Sequence, residues 1–175
     1  MKQEVDTLRY KIPLIFSENE KLVGYINLHK GAQELLIVVG KLETHIRNAY
    51  EDKSMALAHI EDLHMCIMRD AYPVMDSVMY TVERKYTFLK EDGEVTRYLY
   101  PIRDILNDMH SRIKLAWENK TTELDKNKEV KKYLYGLWGN LAALMRYLDN
   151  RIEELSEKMK EESKAFENLL NEPTR

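Results

Sequence analysis

A chain of 175 residues that is 44% hydrophobic and 33% charged can bury one sizeable core, and its six glycines and four prolines are too few for a turn-rich β protein. A net charge of −3 with a pI near 6.0 excludes a bulk electrostatic drive toward nucleic acid or anionic membrane. The single cysteine, Cys66, excludes an intramolecular disulfide framework and a multi-cysteine metal site, and fits a reducing, cytoplasmic setting.

Met1 to Tyr10 alternates charged and apolar residues and does not read as a secretory leader. The longest nearly apolar stretch, Leu35 to Gly40, is far short of the roughly 20 residues of a membrane span. Residues 1–16, with Pro13 before Leu14-Ile15-Phe16, read as an extended arm. Ser17-Glu18-Asn19-Glu20 then has the form of a capping box, whose serine oxygen accepts from the third helical amide. A first helix follows to about Tyr50, with Tyr25, Leu28, Ala32, Leu35, Val39, Leu42, Ile46 and Ala49 in steps of three and four.

Asp52-Lys53-Ser54 is a turn. A second helix runs to about Lys90 on Ala56, Ile60, Leu63, Ile67, Ala71, Val74, Val78 and Val82, and Pro73 inside it predicts a kink or interruption. Gly93 suits the left-handed position that ends a helix. A third helix spans about Glu94 to Glu118, with Leu99, Ile102, Leu106 or Ile105, Met109, Ile113 and Trp117 inward and Pro101 early in it. Asn119 to Thr122 breaks the pattern, and Thr122-Glu123-Leu124-Asp125 can cap the last helix.

The last helix carries the strictest pattern in the chain. Leu134, Trp138, Leu141, Met145, Leu148, Ile152, Leu155, Met159, Glu162, Phe166 and Leu169 alternate steps of four and three, the 3.5-residue period of a coiled coil. Leu137 and Leu144 widen the apolar face in the first half. Arg151 and Lys158 replace them later, opposite Asp149 and Ser156, so the face narrows beyond Leu148. From Glu123 to Asn171 such a helix is ~70 Å long against ~40 Å for the third, so residues 149–171 should overhang. Covering them requires a second copy, another protein, or the N-terminal arm with the ends of the first two helices.

Glu61-Asp62-Leu63-His64 is an E-x-x-H, a spacing that resembles the ferritin-like di-iron bundles over four residues. Those sites require a second such motif and two more inward glutamates. Here Asn107-Asp108-Met109-His110 puts asparagine in the glutamate's place. If the first two helices pair about the turn, Glu43 and His45 fall near Glu61 and His59. Lys126, Lys128, Lys131 and Lys132, interleaved with Tyr133 and Tyr135, form a basic stripe with a phosphate-binding character, cut by Glu123, Asp125 and Glu129. Small residues at Gly24, Gly31 and Ala32, and at Gly136, Gly139, Ala142 and Ala143, suggest close approach of the first and last helices, with Trp138 packed there or left open to a partner.

The sequence therefore predicts one all-α domain over 1–175, an antiparallel bundle of about four main helices with a long C-terminal helix carrying a coiled-coil-like seam. Its expected role is non-enzymatic protein–protein interaction or oligomeric assembly, through Leu148, Ile152, Leu155, Met159, Phe166 and Leu169. A small nucleic-acid-binding subunit acting through Lys128, Lys131 and Lys132 is the alternative, and a metal-binding four-helix bundle the second. No catalytic residue, cofactor or membrane partner is expected.

Overall fold

The computed structural model describes residues 2–120 and 129–171, with side chains from Glu18 onward. Every regular element among them is helical. The first helix, α1, spans Lys2–Glu51, about 75 Å of unbroken helix. The arm expected over residues 1–16 is thus helix from Lys2 onward, and the Ser17–Glu20 signature lies inside it rather than at its start. Proline at position 13 removes one amide from the helix, but Lys, Glu, Leu and Ile on either side favour continuation. A capping signature acts only where the preceding chain leaves helical geometry, and here it does not.

The turn falls where the sequence placed it. Lys53–Met55 forms a short 3-10 turn, closed by the Ser54 hydroxyl donating to Asp52 Oδ1 at 2.7 Å and by His59 Nε2 at 3.2 Å from Asp52 Oδ2. The second segment is one path in several pieces: α2 over Ala56–Cys66, a π turn over Ile67–Ala71, α3 over Tyr72–Tyr80, a second π turn over Thr81–Lys85, and α4 over Phe88–Glu91. Pro73 sits at the start of α3, straight after the first π turn. Widening that turn, with the Tyr72 amide bonding the Ile67 carbonyl, relieves the collision a proline ring makes with the turn before it. The extra residue also turns the face, so that Met75 is buried where Val74 was expected and Val74 is only partly covered.

Helix α5 spans Gly93–Glu118 and passes unbroken through Pro101. Its start corrects the reading of Gly93, which is the first helical residue and has no positive φ. Asp92 is the cap, accepting the Glu94 amide on Oδ1 at 3.1 Å. The left-handed residue among those described is instead Lys120, φ 49°, where the chain leaves α5. The last helix, α6, spans Glu129–Asn171. The Thr122–Asp125 cap and a start at Glu123 lie outside the described residues, as do Lys126 and Lys128.

The helices close a ring. α1 packs on α6 and on α2 and α3, and α5 packs on α6 and α2. Cross-links fix α1 and α6 antiparallel: Lys131 Nζ lies 4.7 Å over the Tyr50 ring, Trp138 bonds Glu43, His29 bonds Asp149, and Lys158 bonds Glu18. All eight predicted inward residues of α1 are buried, and the core adds Ile60, Leu63, Leu99, Ile102, Met109, Ile113, Leu141 and Leu144 at 0–1% exposure. Each such side chain contributes about 1.5–3 kcal/mol of burial, so the periodicity of the sequence has a direct energetic counterpart. Trp117 departs from expectation at 38% exposed, because Ala116 takes the inward position and the indole lies on His64 instead. Among the described residues no helix is long and apolar enough to cross a membrane.

Candidate interaction surface

The seam of α6 divides at Leu148. Up to that point it is interior: Leu137, Leu141, Leu144 and Leu148 are at most 1% exposed, and Leu134 is buried at 8%. Trp138 and Met145 are half-buried against the same core. The indole of Trp138 is committed inside the molecule, donating from Nε1 to Glu43 Oε2 at 3.1 Å.

The body of the bundle ends at one carboxylate. Asp92 Oδ2 accepts the Tyr25 hydroxyl from α1 at 2.6 Å and the Tyr147 hydroxyl from α6 at 2.5 Å, while Oδ1 caps α5. Three helices are tied at this level. Burial, and then the hydrogen bond to Asp92, raises both phenol pKa values above the ordinary tyrosine range. The Arg151 guanidinium lies 5.4 Å over the Tyr25 ring. Sequence reading misses this hub because Glu91-Asp92-Gly93 reads as a helix end; taken as Asp before Gly-Glu, the same stretch is an N-cap signature.

Beyond Asp92 neither α5 nor α4 continues, while α6 runs on to Asn171 and α1 reaches back to Lys2. About 30 Å of two-helix projection results. Its partner question is answered in part within the chain, since α1 runs antiparallel beside α6. Leu155 is 3% exposed, whereas Ile152, Met159, Phe166 and Leu169 remain partly exposed and Leu170 is 60% exposed. The six interface residues expected from sequence thus separate. Leu148 and Leu155 face the intramolecular core, Ile152 packs partly against it, and Met159, Phe166 and Leu169 keep open surface.

Two polar contacts fasten this pair: His29 Nε2 lies 2.8 Å from Asp149 Oδ1, and Lys158 donates to the buried Glu18 at 3.0 Å, while Arg151 pairs with Glu154 within α6 at 3.0 Å. The hydrogen bond to Glu18 is the first cause holding the Lys158 ammonium pKa above the usual lysine range. Glu162, the charge that interrupts the seam, is half-buried and has one oxygen, Oε2, out of solvent without a hydrogen-bond partner; Glu18 Oε2 is in the same state. The outward side of α6 is acidic, with Asn150, Glu153, Glu154 and Glu157 along a shallow groove of about 260 Å³.

The remaining candidates are placed as follows. Lys128 lies outside the described residues, Lys131 is engaged with Tyr50, and Lys132 is exposed. His64 of the E-x-x-H does meet His110, but as stacked rings with centroids 5.3 Å apart and planes 13° from parallel. A metal bound by two imidazoles lies near the plane of each, and rings stacked in this way do not converge on such a point. Among the described residues no group of three or more His, Cys, Asp or Glu could hold a metal ion. Of Glu43, His45, Glu61 and His59, expected near one another, Glu43 takes Trp138 and Arg47 while His59 takes Asp52.

Of Gly24, Gly31, Gly136 and Gly139, the first three receive side chains rather than a neighbouring backbone, and Gly139 receives neither. A methyl on Gly24 would meet the Phe88 ring at 2.5 Å, one on Gly31 would meet Val78 Cγ2 at 2.7 Å, and one on Gly136 would meet Ile105 Cδ1 at 2.8 Å. They therefore seat the α3–α4 segment and α5, not an α1–α6 crossing. Comparison of this chain with protein-family models, with curated proteins and with solved structures finds no match.

Proposed function

We propose that this protein is a non-enzymatic helical assembly protein that associates with a second copy of itself through the α1–α6 projection. The reading rests on the half-covered seam, where Ile152, Met159, Phe166 and Leu169 hold core spacing on a pair of helices that has left the other two behind. A two-helix pair covers each apolar seam from one side only, while the body surrounds its seam with four helices. Two projections laid together rebuild the four-helix cross-section. A strip about 30 Å long and two helices wide covers about 600 Å² per copy, at the lower end of what stable interfaces use.

Charge selects among the ways of laying them together. From Asp149 to Asn171 the chain carries seven acidic and four basic residues, whereas Lys2 to Lys21 carries four of each. Setting α6 against α6 opposes two net-negative faces. Setting each α6 beside the other copy's α1 avoids that opposition and also separates Arg151 and Lys158 from their own counterparts. On this reading the protein works inside the cell, with its single thiol buried and pushed up to about 11 in pKa, chiefly by burial.

Replacing Phe166 and Leu169 together by serine tests the proposal, because both side chains are partly exposed and far from the body core. Light scattering on the eluting protein should give a dimer for the natural chain at about 50 µM and a monomer for the double variant, with unchanged helical circular dichroism. A natural chain that is monomeric at that concentration overturns self-assembly and leaves the surface to a different protein. A dimer indifferent to the double substitution overturns the location.

A further inference from the structure

At the opposite end of the body, α2 and α5 are joined by a stack of rings. His110 and Trp117 lie seven residues apart on α5, two turns and about 10.5 Å along one face. The His64 ring of α2 enters the space between them, 5.3 Å from His110 and 4.8 Å from Trp117, with planes within 13° and 12° of parallel. Tyr72 of α3 meets His110 edge-to-face at 5.1 Å. His64 is 8% exposed, and its Nδ1 and His110 Nε2 are both out of solvent without a hydrogen-bond partner.

The charges around the stack do not welcome a proton. Lys114 on α5 and His64 on α2 both act against a cation at His110, and burial opposes it more strongly than either. From α3 the nearest titratable group is the Tyr72 phenol, itself held protonated by burial and by Asp76. α6, packed on α5, places Glu129 on Arg112, and α1, packed on α2, places Lys41 on Asp70. Two other histidines are treated differently, since His29 has Asp149 and His59 has Asp52 as an acidic partner. Trp117 also walls an open groove of about 460 Å³ with Leu57, Ala58, Glu61, Glu118 and Lys120.

We propose that the Trp117–His64–His110 stack is an acid-released lock between α2 and α5, closed while His110 is neutral and opened when it takes a proton. A proton on His110 puts a charge into a buried ring stack beside Lys114, with no carboxylate bonded to it among the described residues. The strain is relieved by withdrawing His64 and freeing Trp117, which changes the wall of the groove. The folded state binds this proton less readily than the unfolded state. The stabilisation is therefore complete above the ordinary histidine range, near pH 6.5, and is lost as the pH falls through the lowered value of His110.

Ring-proton NMR of the full chain from about pH 8 to about pH 5 reads the lock directly. His110 should titrate below the ordinary histidine range, and the ring contacts between His64 and Trp117 should disappear in step with it. In His110→Phe, which keeps a stacking ring and cannot take the proton, those contacts should persist over the whole range. If that variant does not fold, His110→Gln provides the same comparison with a smaller, neutral side chain. Contacts that survive the titration of His110, or that are lost at the same pH in the neutral variant, overturn the proposal.

Discussion

Asp92 shows how much one side chain can carry in this molecule. Its two oxygens end α5 and hold the Tyr25 and Tyr147 hydroxyls, so three helices depend on one carboxylate. Asp92→Ala removes an N-cap and two charge-assisted hydrogen bonds, and should cost about 3 kcal/mol in a denaturant titration, against about 1 kcal/mol for Tyr147→Phe. A near-neutral result for Asp92→Ala would show that the hub is decorative. The same cluster sets an alkaline limit. Because the fold raises the phenol pKa values of Tyr25 and Tyr147, their contribution is fully present below the ordinary tyrosine pKa of about 10, and is lost as pH rises above it. Phenolate absorbance should therefore lag for these two tyrosines until the protein unfolds, and Asp92→Ala should shorten the lag without abolishing it, because burial remains. The residues of this hub were less legible than the core. All eight inward positions that spacing assigns to α1 are buried, because burial repeats with the helix period, and Val38 joins them from beside the stripe. A carboxylate meeting two distant hydroxyls has no such period, and Asp92 was hidden by the glycine beside it.

At the scale of the element, glycine separates two local physics that the sequence cannot distinguish. Gly31 and Gly139 both lie inside long helices, and each forgoes about 1 kcal/mol of helix propensity relative to alanine. Gly31 does so to admit Val78, which is buried and branched at Cβ and cannot swing away. Gly139 has nothing within 4 Å of where its Cβ would stand. Gly31→Ala should lower the melting temperature despite the better propensity, and Gly139→Ala should raise it by about 2–4 °C. Expectations of opposite sign for the same substitution make the pair a sharp thermal-melting test. Element boundaries obeyed similar tertiary overrides. The turn at Asp52 and the interruption near Pro73 were legible because backbone chemistry dictates them. The start of α1 was not, since Pro13 and the Ser17–Glu20 signature are local preferences and the helix continues through both.

The whole molecule is a four-helix body from which two of its helices run on together. The mismatch in helix lengths makes the long last helix legible, but not its nearest companion, because residues 1–16 read from sequence as an extended arm while α1 runs from Lys2. With α1 in that place, Leu148 and Leu155 belong to the interior, and the open surface reduces to the flanks of Ile152, Met159, Phe166 and Leu169. The lock at His64 and His110 and the proposed assembly surface lie at opposite ends of the body, so acid opening at one end need not disturb association at the other. The central claim is that the projection joins two copies, and sedimentation equilibrium tests it most directly. Between about 1 and 100 µM the weight-average mass should climb from that of the 20.8 kDa chain toward twice that value. A mass fixed at that of one chain across the range would contradict it.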